Sequence, residues 1–162
     1  YPRLAVEAMV RIAREIERTP AFIKGPHYDV PDLNPMRAGA TRTEHAVAAG
    51  TVEAVSLLEA PAVVTFTRTG STTRLVSSYR PPVPILGVSY DLRTYRQLAL
   101  VWGVRPVLCR GIEDPSYEDM LACAREYLVE HGIAGPGDRV VVTAGVPFHV
   151  HGTTNMLRVE EL

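Results

Sequence analysis

The sequence has little cysteine, almost no lysine and no long apolar run. Its 162 residues include two cysteines and a single lysine, Lys24. No apolar run is long enough to span a membrane, and the chain starts without the hydrophobic stretch of a signal peptide. Two cysteines do not form a disulfide framework, so we expect a protein of a reducing cytoplasm with no membrane partner. The chain also starts without methionine, so we expect it to be part of a longer protein.

An excess of charge of either sign is absent as well. Lys plus Arg number 17 and Asp plus Glu 18, for a formal net charge of −1, and there is no basic tract. This balance argues against nucleic acid as a partner. Apolar residues make up 46% of the chain and charged residues 22%, which is typical of a globular domain and excludes disordered and fibrous classes. A chain of this length buries about 70% of its unfolded surface, so one core suffices without a metal.

The first third of the sequence divides into a helix, a proline-rich stretch and a second helix. Apolar residues recur at helical spacing over 3–18, which predicts a helix whose single apolar stripe must pack on something. Residues 19–40 have the proline and glycine content of a linker or hinge. The pair Thr41 and Glu44 forms a capping box and predicts a second helix over about 42–58.

From residue 61 onward, short β-rich runs alternate with helical patterns. Strands are predicted over 62–67, 85–89, 104–108, 139–143 and 156–159. The helices between the first four strands are predicted to end near Tyr79, at Gly103 and at His131. This alternation implies right-handed crossovers and a parallel sheet covered on both faces, whereas the last two strands are close enough to pair as a hairpin. We therefore predict an α/β fold, a three-layer α/β/α sandwich of about five strands, mostly parallel with an antiparallel edge strand.

The loop after the first predicted strand is the best candidate for a binding site, because ligands of open α/β sheets bind beyond the carboxyl ends of the strands. Its residues are Thr67, Arg68, Thr69, Gly70, Ser71 and Thr72. Free N–H groups and the helix dipole favour an anion where the next helix begins, and a guanidinium can pair with phosphate. The alternative is an ordinary turn in which Ser71 or Thr72 caps the helix. Composition alone leaves both interpretations open.

The loop after the fourth predicted strand is a second candidate, because it leaves the same edge of the sheet. Its candidate residues are Gly145, His151 and Gly152, which could close over the same ligand. His149 and His151 would point to opposite sides of an extended loop, and no third ligand lies nearby in sequence. We therefore predict no metal site.

The other reactive side chains carry weaker signals. Cys109 and Cys123 are expected to be small core side chains, because they lack CxxC spacing. The acidic residues over 113–119 are expected to favour the dipole of a helix start. No nucleophile, base and acid form a recognisable trio, so no catalytic residue is predicted.

Several segments are similar to the pyruvate kinase family and follow its order. They are Tyr1-Pro2 with Ile12-Ala13-Arg14-Glu15, the loop 67–72, and the segments 79–85, 103–108, 137–142 and 152–159. The resemblance implies that residues 1–18 are the last helix of the catalytic barrel, 19–40 a hinge, and 41–162 the C-terminal allosteric domain. In that family the barrel transfers phosphate from phosphoenolpyruvate to ADP, using Mg²⁺ and K⁺ that the barrel binds. We therefore expect these residues to be catalytically inert alone and to hold no cofactor.

The same resemblance implies partners. The loop 67–72 would hold an effector phosphate, the loop 145–152 would form the flap above it, and the domain would contribute a subunit contact of a tetramer. Members activated by fructose 1,6-bisphosphate often have a basic residue near the helix start that faces this site, whereas residues 111–124 contain none. We therefore expect a monophosphate effector, a sugar monophosphate or AMP. The alternatives are a free-standing phosphate-binding module with the same fold and, less favoured, a small independent enzyme.

Overall fold

The computed structural model describes residues 1–17, 42–111, 114–147 and 153–162. The helices and strands in these residues are α1 (Pro2–Glu17), α2 (Arg42–Leu58), β1 (Val63–Phe66), α3 (Ser71–Ser78), β2 (Ile85–Ser89), α4 (Leu92–Leu98), β3 (Val104–Leu108), α5 (Tyr117–Glu130), β4 (Arg139–Ala144) and β5 (Met156–Glu161). The predicted hinge over 19–40 and the predicted helix cap at Thr41 lie outside the described residues.

The five strands form one sheet in the order β3-β2-β1-β4-β5. The pairs β1–β2, β1–β4 and β2–β3 are parallel. In each pair, at least one helix lies between the two strands along the chain and carries the chain back to the same edge of the sheet. Strands β4 and β5 pair antiparallel, with Arg139 opposite Glu161 and Ala144 opposite Met156. This arrangement confirms the predicted fold class and places the carboxyl end of the central strand β1 between two neighbouring loops.

Alternate side chains of the strands enter two cores, one on each face of the sheet. Val64 of β1 faces the core that α5 covers, together with Met120 and Leu128 of that helix. Val63 faces the opposite core, where Val55 of α2 and Val76 of α3 pack against it. Burial of each such side chain contributes about 1.5–3 kcal/mol. Because both faces are covered, all four residues of β1 are buried, and the strand holds the loop that follows it in a fixed position.

Helix α4 is shorter than the sequence predicts. It ends at Leu98, not at Gly103, and turns follow in which the N–H groups of Leu100 and Val101 donate to the carbonyls of Gln97 and Leu98. Leu98 is fully buried, whereas Leu100 is 91% exposed, so no apolar face remains to hold a longer helix on the sheet. Gly103, with φ of +68°, then directs the chain into β3.

Cys109 and Cys123 both lie at the core that α5 covers, as predicted, but a disulfide joins them. The expectation of two unlinked side chains is therefore wrong. Cys109 follows β3 and Cys123 lies in the second turn of α5. The sequence does not show that these two positions are neighbours. They are 14 residues apart, and their side chains meet only when α5 packs on the sheet.

Helix α1 has the apolar stripe that the sequence predicts, and this stripe is exposed. Its predicted residues, Val6, Met9, Val10, Ala13 and Ile16, are all exposed. Within the ranges that the structure describes, no helix is both long and apolar enough to cross a membrane.

Gly87 in β2 is expected to tolerate no side chain. A Cβ at this position would lie 2.9 Å from Cδ1 of Leu98 and 3.1 Å from Cγ2 of Thr73, so Gly87→Ala should lower the free energy of unfolding by about 1–3 kcal/mol. Urea denaturation measures this change. Gly50→Ala in α2 is the matched control: its Cβ would meet only Cδ1 of Leu157 at 3.8 Å, and the helix should gain about 1 kcal/mol. A neutral Gly87→Ala variant would contradict the packing described.

Candidate functional site

The candidate site lies where β1 ends and α3 begins. Gly70 is the N-cap residue of α3, with φ of +85° and ψ of 0°, a conformation that favours glycine. Among the described residues, no side chain caps this helix start. The first N–H groups of a helix have no partner within the helix and carry the positive end of its dipole, so an anion is well placed here. The structure does not support the alternative in which Ser71 or Thr72 is the cap.

Three hydrogen bonds hold the backbone of this loop in place. The N–H of Gly70 donates to Oγ1 of Thr67 at 2.8 Å. Oγ1 of Thr94 in α4 donates to the carbonyl of Arg68 at 2.7 Å, and Nη1 of Arg74 donates to the carbonyl of Thr69 at 2.9 Å. The loop is therefore fixed to both α3 and α4, so its N–H donors are arranged before any ligand arrives.

The predicted site residues separate into two groups. Arg68, Thr69 and Ser71 are exposed at the loop surface. Thr67 and Thr72 are buried, and Oγ1 of Thr72 lies 2.8 Å from Oγ1 of Thr154, so this hydroxyl joins α3 to the residues that precede β5. The exposed group can therefore meet a ligand directly, whereas the buried group and Gly70, whose N–H is already bonded to Thr67, support the loop.

Sequence reasoning missed Arg74. Its guanidinium folds back over the loop, so that a Cβ on Gly70 would lie 2.8 Å from Nη1 of Arg74. Helical side chains point toward the amino end of their helix, so an arginine four residues after the N-cap is a signal that could have been used. The guanidinium of Arg74 therefore lies at the helix start, and the exposed Arg68 lies in the loop just before it.

A cleft of about 580 Å³ opens between this loop and α4. It is lined by Arg68, Thr69, Tyr90, Asp91, Arg93, Thr94 and Gln97. Nη2 of Arg74 also donates to Oε1 of Gln97 at 3.1 Å, which connects the two walls. The cleft combines guanidinium, hydroxyl, amide and phenol groups, which suits a hydroxylated ligand that carries negative charge.

Asp91 caps α4 at the rim of the cleft. Its Oδ2 accepts from the N–H of Thr94 at 2.7 Å. This backbone hydrogen bond holds the pKa of Asp91 below its usual value. Asp91 fixes the backbone of Thr94, and the hydroxyl of Thr94 donates to the carbonyl of Arg68. The carboxylate of Asp91 therefore supports the loop through Thr94.

Acid is expected to weaken this support. The pKa of Asp91 is lowered in the folded state, so its contribution to stability is present above the unfolded pKa of about 3.9 and is lost as pH falls through the folded value. Asp91→Asn keeps a capping side chain without the titration. We expect the Tm advantage of the wild-type chain over Asp91→Asn to be constant from pH 7 to 5 and to shrink as the pH falls below about 3.9. An advantage that persists unchanged at pH 2.5 would contradict this role.

On the opposite face of the sheet, α5 begins beside the end of β1. The ring of Tyr117 packs edge-on against Phe66, with 5.2 Å between the ring centroids. A capping box formed by Ser116 and Asp119 starts the helix, and the hydrogen bonds from Ser116 keep the pKa of Asp119 below its usual value. Burial, followed by the hydrogen bond to Glu160, raises the pKa of Tyr117, so its hydroxyl stays protonated. The guanidinium of Arg158 lies over the Tyr117 ring, 5.0 Å from its centroid, and pairs with Glu160 at 2.7 Å, so charges of both signs lie on this side.

The second candidate loop is described in part. Asn155 joins its two ends: Oδ1 accepts from the N–H of Val146 at 2.8 Å, and Nδ2 donates to the Val146 carbonyl at 2.7 Å. Gly145 lies against the backbone of Thr153, where no Cβ would fit. His151 and Gly152 lie outside the described residues. In the part of the chain that the structure covers, no group of three or more His, Cys, Asp or Glu side chains could hold a metal ion.

The fold is a three-layer α/β/α sandwich around one five-stranded sheet. At the end of its central strand, a helix start presents N–H donors beside Arg68 and Arg74. Over residues 45–160 the chain matches the family described as "Pyruvate kinase, alpha/beta domain". The chain therefore belongs to the pyruvate kinase family, which confirms the resemblance.

Three relatives illustrate the similarity. A pyruvate kinase of Clostridium acetobutylicum is 38% identical over an alignment of 162 positions, which covers 99% of this chain and 32% of the relative. Pyruvate kinase 2 of Synechocystis is 36% identical over 99% of this chain and 25% of its own length. A pyruvate kinase of Agrobacterium vitis is 34% identical over 99% of this chain and 32% of its own length. The chain thus spans about a quarter to a third of the curated relatives it matches.

Proposed function

We propose that this chain is the C-terminal regulatory region of a pyruvate kinase, and that it binds the phosphate of a phosphorylated small molecule at the loop 67–72. The observation that carries the proposal is the start of α3, where Gly70 is the N-cap and no described side chain caps the helix. An uncapped helix start that follows a strand of an α/β sheet is a common position for phosphate.

The charges around the loop support this assignment. Arg68 is exposed beside the helix start, and the guanidinium of Arg74 lies over Gly70. The guanidinium of Arg74 already donates to Thr69 and Gln97 and adds positive charge, whereas that of Arg68 can bind a phosphate through two parallel hydrogen bonds. Thr69 and Ser71 add exposed hydroxyl donors. One phosphate group would therefore meet positive charge, hydroxyls and backbone N–H groups within one turn of helix.

A single phosphate is favoured over two. A bisphosphate needs a second cluster of donors, whereas the segment at the start of α5 carries Asp114, Glu118 and Asp119, and the neighbouring Arg158 is paired with Glu160. These carboxylates disfavour a second phosphate there. The α4 side offers the cleft of about 580 Å³, where Tyr90 and Gln97 could contact a sugar or a nucleoside. We propose a sugar monophosphate or AMP as the ligand.

The parent protein would transfer phosphate from phosphoenolpyruvate to ADP in glycolysis, in the cytoplasm. We assign that chemistry, with its Mg²⁺ and K⁺, to a catalytic barrel outside these residues, and α1 to its last helix. The exposed apolar stripe of α1 supports this assignment, because such a stripe needs a partner surface. The domain would also form a subunit contact of a tetramer. These residues alone should show no turnover of phosphoenolpyruvate with ADP.

Thermal melting with candidate ligands tests the proposal. Ribose 5-phosphate, glucose 6-phosphate, AMP, fructose 1,6-bisphosphate and sulfate would each be added to the chain. A ligand at a hundred times its Kd adds about 2.7 kcal/mol, which corresponds to a Tm rise of roughly 5–10 °C. We expect a rise with a monophosphate that Arg68→Ala removes. No rise with any of the five ligands, or tight binding of the bisphosphate alone, would contradict the proposal.

A further inference from the structure

The bond between Cys109 and Cys123 joins the end of a strand to the helix that covers it. The N–H of Cys109 donates to the carbonyl of Ser89 at 2.9 Å, so Cys109 is also fixed to the end of β2. Cys123 lies on α5, and the chain segment between the two cysteines includes the first two turns of this helix. We propose that this pair is a thiol–disulfide exchange site, which a low-molecular-weight dithiol opens and a low-molecular-weight disulfide closes.

The two sulfurs differ in accessibility. Cys109 is 2% exposed and belongs to the core. Cys123 is partly buried and lines an open cleft of about 420 Å³, whose wall also includes Arg110, Glu126 and Tyr127. An attacking thiolate can therefore approach the sulfur of Cys123 from solvent, and Cys109 is the leaving group. This asymmetry directs exchange to one sulfur, as such reactions require access along the bond.

The exchange is balanced with a dithiol as reductant. One thiolate of the dithiol attacks Sγ of Cys123, a mixed disulfide forms, and the electron pair of the broken bond goes to Sγ of Cys109, which takes a proton. The second thiol of the reagent then attacks the reagent's other sulfur, which is bonded to Cys123. The reagent becomes a cyclic disulfide, and Cys123 is released as a thiol. Two electrons and two protons pass to the protein. In the reverse direction, a small disulfide accepts them and leaves as two thiols.

The reduced state also has favourable contacts. Sγ of Cys109 lies 3.8 Å from the carbonyl of Asp119, so the released thiol has an acceptor for its proton. The capping box of Ser116 and Asp119 fixes the start of α5 without the sulfur bond, because Asp119 Oδ2 accepts from the N–H of Ser116 at 2.9 Å. We therefore expect reduction to leave α5 folded and to loosen its attachment to β3, which makes the exchange reversible.

The expected effect on stability follows from the length of the closed loop. The sequence separation of 14 residues gives a loop whose closure in the unfolded chain should raise Tm by about 6–12 °C. Reversible closure would also reconcile the bond with the reducing cytoplasm proposed for this protein, where disulfides are usually transient and catalytic or redox-sensing.

The experiment uses the whole chain at equilibrium with dithiothreitol or with oxidised glutathione. After the reagent is removed, the chain is unfolded in urea for labelling, because Cys109 is buried in the folded state. N-ethylmaleimide labelling, read by mass spectrometry, should count no thiol in the oxidised chain and two after the dithiol, and the Tm of the reduced chain should be about 6–12 °C lower. Cys123→Ala should match the reduced Tm and ignore the dithiol. Ala122→Ser, an exposed neighbour on α5, should behave as the wild-type chain does.

Two results would overturn the proposal. Two labelled thiols after incubation with oxidised glutathione would mean that the bond does not form. A bond that resists the dithiol in the folded chain would make it a permanent structural link with no exchange. Neither readout uses a phosphate ligand, so both stand apart from the function proposed above.

Discussion

Ser71→Glu should abolish binding of a phosphorylated ligand while the domain stays folded. Ser71 is exposed and is the first residue of α3, so its new carboxylate would lie at the positive end of the helix. A carboxylate there favours the helix by about 0.3–1 kcal/mol. It would also occupy the place proposed for the phosphate and repel its charge. We expect the affinity for ribose 5-phosphate or AMP to fall at least about 100-fold, or ~2.7 kcal/mol.

Isothermal titration and thermal melting of the same variant separate binding from folding. The expected combination is an unchanged or higher Tm without ligand and no heat of binding with it. Ser56→Glu is the matched control, because Ser56 is an exposed serine near the end of α2, where the chain turns toward the amino end of β1. That variant should bind with wild-type affinity. Full binding by Ser71→Glu would place the phosphate somewhere other than the start of α3.

The sheet could be predicted from the sequence because its signals are local. Residues 61–108 alternate short β-rich runs with helical patterns, and the short connection before 156–159 indicates a hairpin. Chirality then leaves few ways to arrange the strands. The observed order β3-β2-β1-β4-β5 follows from these rules. The end of α4 did not follow, because burial of Leu98 and exposure of Leu100 decide it and depend on the packed sheet.

The site was predictable in position and only partly in detail. A loop rich in hydroxyls after the first strand indicated where a ligand would bind, but Thr69 and Thr72 look alike in sequence and differ in burial. The choice between a capped and an uncapped helix depended on the positive φ of Gly70, which composition does not show. Arg74 and the Cys109–Cys123 pair were missed because each depends on the packing of side chains.

Gly145→Ala should be the most destabilising single substitution discussed for this chain. A Cβ on Gly145 would overlap the carbonyl oxygen of Thr153, which is backbone and cannot turn aside as a side chain can. The residues that lead into β5 must therefore move away from the end of β4. That movement would also strain the 2.8 Å contact between Thr154 and Thr72, which joins β5 to α3. We expect a loss of about 3 kcal/mol or more in the free energy of unfolding.

Urea denaturation of Gly145→Ala and Gly135→Ala would measure this loss against a matched glycine. A Cβ on Gly135 would meet only Oδ2 of Asp138 at 4.0 Å, so that variant should stay within about 0.5 kcal/mol of the wild-type chain. A small cost at Gly145 would mean that β4 and the approach to β5 are further apart in solution than the Asn155 hydrogen bonds indicate. A large cost would mean that this crossing is closed without ligand. The backbone of Gly145 would then stay against that of Thr153, and the contact between Thr154 and Thr72 would hold this end of the sheet beside α3.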